Sequence, residues 1–346
     1  MQLHHSRRLF DSAIINHYDL FLDLAVMTEF DFIRRYLNHQ QTDTELVLGI
    51  GDDAAIVRPR PGYDLCFSSD MLLAGRHFFA DVAADDLAHK VLAVNVSDMA
   101  AMGAIPRWVL LSAALPRLDE AWLTAFCDTL FAEAQRYGIT LIGGDTTRGD
   151  WVFNVTIIGE LPCGSALRRS GAQVGNDIWV SGHIGAAAAG LAAMQDKLSF
   201  PAEVEAACRL KLHRPQPRVA LGQRLLDIAT AAMDVSDGLA QDLGHILRAS
   251  GVGARLQAAE VPALAELRDN LVVETLHAVQ LAGGDDYELL FTAPENAREA
   301  VEAAGREADV AVSRIGRITE NSGCLEIVDN HGDAVHLKHK GFDHFG

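Results

Sequence analysis

Basic residues are scarce in this chain. Its 346 residues include 29 lysines and arginines against 47 aspartates and glutamates, which gives a formal net charge of −18 at pH 7. A surface this acidic repels the backbones of nucleic acids and the surfaces of anionic membranes, so neither is expected as a partner. An anionic substrate would need a cation held locally, and a metal ion is the first choice.

Cysteine is also rare, and long apolar runs are missing. The five cysteines, at 66, 127, 163, 208 and 324, include no C-x-x-C pair and are odd in number, which indicates reduced thiols in a cytoplasmic protein. No run of 18 apolar residues is present to span a bilayer. The apolar stretch at 20–27 is interrupted by Asp23 and lacks a small-residue cleavage site, so it is a poor signal peptide.

Two common nucleotide-binding motifs are missing as well. The chain has no G-x-x-x-x-G-K-[ST] sequence, which excludes a P-loop NTPase. Residues 182–190 follow an expected strand and open an expected helix, but their glycines are not spaced as G-x-G-x-x-G. We interpret these small residues as permitting close helix packing rather than dinucleotide binding. No Ser/His/Asp or Cys/His order indicates nucleophilic catalysis.

The chain does have acidic residues placed beside glycine or serine where apolar runs end. Three such stretches are Gly-Ile-Gly-Asp-Asp at 49–53, Gly-Gly-Asp-Thr-Thr at 143–147 and Asp-Val-Ser-Asp-Gly at 234–238. Helix capping or a turn explains any one of them. Gathered together, carboxylates about 4 Å apart would repel by roughly 4 kcal/mol at an effective dielectric of 20, so a cation is expected among them. Aspartate oxygens suit Mg²⁺, and glycines let backbone approach a phosphate. The candidate cluster is Asp53, Asp70, Asp98, Asp145, Asp234 and Asp237.

Two further polar features are candidates for phosphate contacts. His77 follows Asp70 closely and has an arginine before it, although a lone histidine is more often structural. Arg168 and Arg169 form a compact basic pair near a glycine turn, where the alternative is a solvated loop.

Turn-forming residues divide the chain. Pro-Cys-Gly-Ser at 162–165 is the best candidate boundary, so we expect domains at 27–161 and 162–346. Residues 1–26 differ in character from the rest of the chain and are expected to be a non-functional extension. An amphipathic helix is expected at 119–137. Strands are expected at 64–70, ending on an acid, at 139–142, delivering Gly-Gly-Asp, and near 279–281.

Six motifs in one order resemble a known family. They are Gly-Ile-Gly-Asp-Asp at 49–53, Ser-Ser-Asp at 68–70, Asn-Val-Ser-Asp-Met-Ala-Ala-Met-Gly at 95–103, Leu-Ile-Gly-Gly-Asp-Thr-Thr at 141–147, Asp-Val-Ser-Asp-Gly-Leu at 234–239 and Gly-Gly-Asp-Asp-Tyr-Glu-Leu at 283–289. This series closely resembles bacterial thiamine-monophosphate kinases from about residue 28 to the C-terminal end.

The resemblance implies an α+β protein with the two-domain fold of aminoimidazole-ribonucleotide synthetase. In that fold an N-terminal α/β domain pairs its sheet with that of a second subunit, which implies a homodimer, and a C-terminal α+β domain follows. It also implies ATP-dependent phosphorylation of thiamine monophosphate to thiamine diphosphate, with ATP as co-substrate and several Mg²⁺ ions.

The resemblance also assigns roles to individual residues. Mg²⁺ would be bound by Asp53, Ser68, Ser69, Asp70, Asp98, Asp145, Asp234 and Asp237. ATP would contact Gly144, Asp145, Arg169 and Ser236. Thiamine monophosphate would contact His77, Asp285 and Phe342. One departure is that Asp285 stands where the family usually has glutamate, so this carboxyl is shorter by a methylene. Because the acceptor phosphate is already ionised near neutral pH, direct in-line transfer needs no strong general base.

Other interpretations keep the fold and change the activity. Selenophosphate synthetase, aminoimidazole ribonucleotide synthetase and a hydrogenase-maturation protein share the architecture, although selenophosphate synthesis would want a reactive cysteine early in the domain and none precedes Cys66. A non-catalytic nucleotide-binding regulator that kept the acids is an alternative of another class.

Overall fold

The computed structural model describes residues 27–38, 43–337 and 341. Within these residues the chain forms a two-stranded ribbon, a four-stranded sheet and a six-stranded sheet, with helices packed on the two larger sheets. The strands are β1 (Leu46–Leu48), β2 (Ile56–Val57), β3 (Tyr63–Leu73), β4 (Ile105–Leu115), β5 (Thr140–Arg148), β6 (Val152–Pro162), β7 (Asp177–Ser181), β8 (Ala231–Asp234), β9 (Gly253–Gln257), β10 (Leu289–Ala293), β11 (Val312–Thr319) and β12 (Leu325–Val328). The helices are α1 (Glu29–Phe32, continued by a π-helical turn over Ile33–Leu37), α2 (Ala84–Met102), α3 (Glu120–Tyr137), α4 (Ala186–Met194), α5 (Ala202–His213), α6 (Val219–Arg224), α7 (Leu239–Ser250), α8 (Ala265–Asn270), α9 (Val273–Ala282) and α10 (Arg298–Glu307).

The four-stranded sheet has the order β3-β6-β4-β5, so β3 and β5 are its two edges. β4 and β5 run parallel and are joined through α3, while the other pairs are antiparallel. α3 has a clear start, because the Asp119 side chain accepts a hydrogen bond from the Trp122 N–H, and a clear end at Gly138 in the left-handed conformation. Helices α2 and α3 bury Leu92 and Phe126 against this sheet.

The side of this sheet turned away from α2 and α3 is called the outer face. Trp108 and Ile158 are buried there and pack against Leu46 of the β1–β2 ribbon. Towards β3 the outer face is uncovered, and the side chains of Phe67 and Met71 are 63% and 54% exposed. An apolar surface of this kind in a folded protein commonly marks a contact with another protein.

The six-stranded sheet has the order β12-β9-β11-β7-β10-β8 and is antiparallel except for β9 and β12. α7 covers one side, where Ile246 shares a core with Val180. On the other side Leu221 of α6 packs with Trp179 and Phe291. The sheet is therefore covered on both faces, as its fully buried central strands require.

Helix α2 lies between the two sheets and contacts both halves of the chain. Besides the four-stranded sheet and α3, it packs against β8 and α6. The approach of α6 requires glycine at 222, because a Cβ there would stand 2.0 Å from the Ala100 carbonyl oxygen. Near the start of α2, Arg214 forms ion pairs with Asp85 at 2.6 Å and Asp86 at 2.5 Å. These contacts fix the position of α2 relative to both halves of the chain.

Three strand expectations need correction. β3 continues to Leu73, so Asp70 lies inside the strand rather than at its end. β5 continues through Gly-Gly-Asp-Thr-Thr to Arg148, because pairing with β4 supplies hydrogen bonds that the sequence alone does not reveal. The strand expected near 279–281 is wrong, since these residues belong to α9; short apolar runs do not distinguish a strand from a buried helix.

Candidate functional site

Helix α2 brings two hydroxyl–carboxylate pairs together in the middle of the molecule. The Ser68 Oγ of β3 donates a hydrogen bond to Asp98 Oδ2 at 2.5 Å. One residue earlier on α2, the Ser97 Oγ donates to Asp234 Oδ2 at the end of β8 at 2.6 Å. The polar surface of this helix therefore connects β3 of one half with β8 of the other.

A buried amide fixes the position of Asp70 beside the same helix. The Asn95 side chain donates to the Val91 carbonyl oxygen at 3.0 Å, and its Oδ1 accepts the Asp70 N–H at 3.0 Å. Asn95 is completely buried, so its orientation is set by these two bonds. Asp70 consequently lies beside α2 and its acidic side chains.

Asp70, Asp98, Asp234 and Asp237 form what we call the acidic cluster. Burial, together with the charges of Asp98 and Asp237, raises the pKa of Asp70 to about 6. Burial raises the pKa of Asp234 to about 7, again with a contribution from Asp98. The mutual effects mean that these carboxylates face a common region, where adding negative charge is unfavourable.

Arg169 places a cation next to the acidic cluster. Burial raises the pKa of Asp98, while the hydrogen bond from Ser68 and the charge of Arg169 both oppose that rise. Arg169 itself is exposed in the segment that joins the two halves. A guanidinium in this position is suited to a phosphate that enters the cluster from solvent.

Asp242, to which the sequence analysis assigns no role, holds the loop that carries Asp237. Its Oδ2 accepts hydrogen bonds from the backbone N–H groups of Ser236, Asp237 and Gly238 at 3.1, 3.2 and 3.1 Å. The residue is 1% exposed in the first turn of α7. A signal for it exists in the sequence, since an acid in the first helical turn commonly binds free N–H groups.

The segment 283–287 lies directly on that loop. The Asp285 N–H donates to the Ser236 carbonyl oxygen at 2.9 Å, and the Tyr287 N–H donates to the Val235 carbonyl oxygen at 2.8 Å. Both Asp285 and Tyr287 have positive φ angles, 68° and 51°. Such conformations in residues other than glycine are costly and are typical of functional segments.

The Asp285 carboxylate is held from both sides. Lys90 Nζ lies 3.1 Å from its Oδ2, and the Tyr287 hydroxyl donates to its Oδ1 at 3.2 Å. Burial raises the pKa of Tyr287 well above its usual value, and the charge of Asp285 acts in the same direction, so this hydroxyl keeps its proton. Lys90, which lies on α2, belongs to none of the six sequence motifs.

His77 lies in a tight turn after β3. Its Nδ1 accepts a hydrogen bond from the Leu73 N–H at 3.0 Å, which assigns the proton of the neutral ring to Nε2. The turn places this ring just beyond the strand that carries Asp70. Phe342, the other expected substrate contact, lies outside the described residues.

Three expected metal ligands are not gathered with the acidic cluster in this chain. Asp53 is exposed, and its N–H donates to the neighbouring Asp52 side chain. Ser69 points to the opposite side of β3 from Asp70, where its hydroxyl contacts the Val155 carbonyl oxygen. Asp145 is exposed on β5, the far edge of the sheet.

The donor set of the acidic cluster fits a hard divalent cation. It offers carboxylate oxygens and the Ser68 hydroxyl, and such oxygens are the ligands that Mg²⁺ prefers. Among residues 27–38, 43–337 and 341, no three His, Cys, Asp or Glu side chains are grouped closely enough to hold a metal alone. Phosphate oxygens of a ligand would complete the coordination.

Both the sequence and the structure match known proteins. Residues 51–161 match the family profile "AIR synthase related protein, N-terminal domain", and residues 173–328 match the corresponding C-terminal domain. The thiamine-monophosphate kinase of Escherichia coli O157:H7 is 44% identical over 319 residues, which cover 92% of this chain and 98% of the relative. That of Bacillus subtilis is 33% identical, over 92% of this chain and the whole of the relative.

Solved structures give the same result. A crystal structure of thiamine-monophosphate kinase from Stenotrophomonas maltophilia has a TM-score of 0.80 and 44% identity, over 90% of this chain and 98% of that one. A structure described as "AaThiL complexed with AMPPCP and TMP" has a TM-score of 0.72 and 28% identity, over 91% and 96% of the two chains. The expected two-domain α+β fold is confirmed by these matches. No described helix has the length and apolar character needed to cross a membrane.

Proposed function

The chain belongs to the thiamine-monophosphate kinase family, and on this basis we propose that it transfers the γ-phosphoryl group of ATP to thiamine monophosphate. The ordered site motifs are matched by a structure in which Asp70, Asp98 and Asp234 lie together at one stretch of α2 between the two halves. This convergence is the observation that carries the proposal. A related protein of known structure was solved with AMPPCP and TMP, which supports ATP and thiamine monophosphate as the two substrates.

The acidic cluster is proposed to hold Mg²⁺ ions with the nucleotide. Asp70, Asp98, Asp234 and Asp237 would supply carboxylate oxygens, and Ser68 would orient Asp98. Bound there, the ions neutralise charge that develops on the transferring phosphoryl group. A cation bound there would also offset the mutual repulsion of these carboxylates, which burial strengthens. Asp53, Ser69 and Asp145 remain proposed ligands.

Transfer is proposed to be direct and in line. A terminal oxygen of the acceptor phosphate forms a new bond to the γ-phosphorus, the bond from that phosphorus to the β,γ-bridging oxygen breaks, and ADP leaves. Because positioning and charge neutralisation suffice, the site needs no catalytic histidine.

The two substrates are proposed to bind different sets of residues. Arg169, beside Asp98, would bind phosphate oxygens of ATP, and Gly144 and Ser236 would contact the same nucleotide. Thiamine monophosphate would be held by His77, Asp285 and Phe342.

We also propose that the protein works as a homodimer joined through the outer face. Phe67, Met71 and Leu73 are exposed there. Asp145 pairs in register with Ser112, which lies on the same side of β4 as Leu110, so Asp145 belongs to the outer face too. A second subunit on this face would carry its own Asp145 towards a neighbouring site.

We also propose a domain boundary between residues 161 and 162. It lies at the end of β6, before the six-stranded sheet begins with β7. The protein is placed in the cytoplasm, which agrees with five free cysteines.

The proposed reaction is tested by incubation with ATP, Mg²⁺ and thiamine monophosphate, followed by chromatography for thiamine diphosphate. The Asp98→Asn variant should lose turnover, while its metal-free form should be as stable as wild type or more so, because a repelling charge has been removed. Asp269→Asn, at an exposed position of α8, is the matched control and should retain full activity. ADP formation without phosphorylated acceptor would favour a regulator, and full activity of Asp98→Asn would refute the metal role.

A further inference from the structure

We propose that Lys90 is a positioning residue for the phosphoryl acceptor, acting through Asp285. The inference rests on the proposed function, because it takes Asp285 as a contact of thiamine monophosphate. It adds a residue that the sequence motifs do not assign. The Lys90 side chain is 4% exposed, whereas that of Asp285 is 30% exposed. The lysine therefore supports the carboxylate from the protein side, and the carboxylate keeps a side open to a ligand.

Asp285 is held by three contacts and not by the ion pair with Lys90 alone. Its Oδ2 is paired with Lys90, its Oδ1 accepts from Tyr287, and its own N–H donates to the Ser236 carbonyl oxygen. Each carboxylate oxygen keeps a further lone pair, because carboxylates accept more than one hydrogen bond per oxygen. The orientation of that remaining acceptor is set before any ligand arrives.

The backbone conformation also fixes the position of Asp285. Asp285 has a φ of 68°, and a Cβ at Gly284 would stand 2.2 Å from the Ser236 carbonyl oxygen, so the segment is pressed onto the loop that carries Asp237. The surrounding contacts hold this conformation in spite of its cost. The acceptor contact and the acidic loop are therefore one structural unit, and Lys90 ties that unit to α2.

The role of Lys90 predicts a selective kinetic defect. Lys90→Met keeps the length and packing of the side chain but removes the ammonium, so Oδ2 of Asp285 loses its charged partner and only the Tyr287 hydroxyl still holds the carboxylate. Loss of a hydrogen bond to a charged group is expected to raise KM for thiamine monophosphate about tenfold or more. KM for ATP should stay within about twofold of wild type, since the acidic cluster and Arg169 are untouched. Lys197→Met, at an exposed lysine, is the matched control and should leave both constants unchanged.

The experiment combines steady-state kinetics with calorimetric binding of thiamine monophosphate to the same proteins. Tyr287→Phe, which removes one oxygen and preserves packing, is measured in parallel in case Lys90→Met does not fold. A weaker acceptor affinity in Lys90→Met, with ATP binding retained, supports the inference, and Tyr287→Phe takes the place of that variant only if Lys90→Met does not fold. If a variant melts at lower temperature but keeps the wild-type KM and affinity for the acceptor, the pair is only a link between domains and the inference is overturned. Wild-type enzyme that forms no thiamine diphosphate would instead refute the proposed function, and the calorimetric affinities would still decide the role of Lys90.

Discussion

Gly144 illustrates how one residue can serve the fold and the site together. The family resemblance assigns it to ATP, yet a Cβ at this position would lie 1.8 Å from the Leu111 carbonyl oxygen, and its φ is +150°. The close pairing of β5 with β4 therefore requires glycine here. We expect Gly144→Ala to destabilise the protein by more than about 3 kcal/mol, because both backbone strain and the clash must be relieved.

Gly62 offers the control for that prediction. Its φ is +81°, but no described atom outside residues 61–63 lies within 4 Å of the position that an added methyl group would occupy, so Gly62→Ala meets strain without a clash. A cost of about 1–2 kcal/mol is expected from the left-handed backbone alone. Urea unfolding of both variants gives the comparison. Equal costs at the two sites would show that the contact with Leu111 relaxes freely.

At the same scale, the sequence predicts the residues of the acidic cluster but not their supports. Asp70, Asp98 and Asp234 can be found because motifs place acids beside serine and glycine. Lys90 cannot, because it looks like an ordinary helical residue in the sequence, and the only signal for Asp242 is its place in the first turn of a helix. Their contacts join residues more than a hundred positions apart or depend on a loop conformation, and such contacts follow only from the tertiary fold.

At the scale of structural elements, the loop between β8 and α7 is held by a single side chain, that of Asp242. Oδ2 of Asp242 accepts all three N–H bonds from Ser236, Asp237 and Gly238. Burial raises the pKa of Asp242 to about 7, and the charge of Asp237 acts in the same direction. We expect Asp242→Asn to keep these bonds through its amide oxygen and to have nearly wild-type stability.

Asp242→Ala should behave differently, because three N–H groups lose their acceptor. The expected cost is about 1–3 kcal/mol, with a further loss of nucleotide affinity as the loop relaxes. Thermal melting and ATP titration of the two variants, side by side, measure both effects. Equal loss in the asparagine and alanine variants would mean that the negative charge, rather than the acceptor, is what the loop needs.

Helix α3 is easier to predict from this sequence than β5 or α9, and the reason is physical. The sequence predicts α3 at 119–137, and it is found at Glu120–Tyr137, since its apolar period and its cap are local signals. The predicted β5 ends too early, at 142, because its second half is held by β4 rather than by its own apolar residues. The strand predicted at 279–281 is part of α9, where a short apolar run has no period to distinguish the two structures.

The whole molecule carries a net charge of −18. In such a molecule, a buried carboxylate of the site lowers the stability of the folded state when it ionises. The unfolded pKa of an aspartate is about 3.9, and that of Asp70 in the folded protein is raised to about 6, chiefly by burial. The folded state therefore binds this proton more tightly, and the residue costs stability as pH rises from about 4 to about 6, above which the cost is constant.

Asp70→Asn should remove that dependence. In metal-free buffer, its melting temperature relative to wild type should increase between about pH 4 and pH 6 and then remain level. Histidines whose pKa is lowered by burial, such as His183 and His213, are common to both proteins and cancel in the difference. A variant advantage that shrinks as pH rises would contradict the raised pKa.

If the proposed function and homodimer hold, the position of Asp145 makes the second subunit part of the active site. β3 and β5 are opposite edges of the sheet, about 14 Å apart at the usual strand spacing, and Asp70 and Asp145 point to opposite sides of it. Within one chain Asp145 is therefore remote from the acidic cluster. A homodimer through the outer face would let each subunit complete the site of the other.

Subunit mixing tests this arrangement. Heterodimers with Asp98→Asn on one chain and Asp145→Asn on the other should regain about half of wild-type activity, because one of the two symmetric sites then has both acids intact. Heterodimers of wild type with the double variant should be inactive, since each site lacks one acid. The two chains carry different affinity tags, so that only heterodimers are assayed. The opposite pattern, with the second heterodimer active and the first inactive, would place both acids of a site in the same chain.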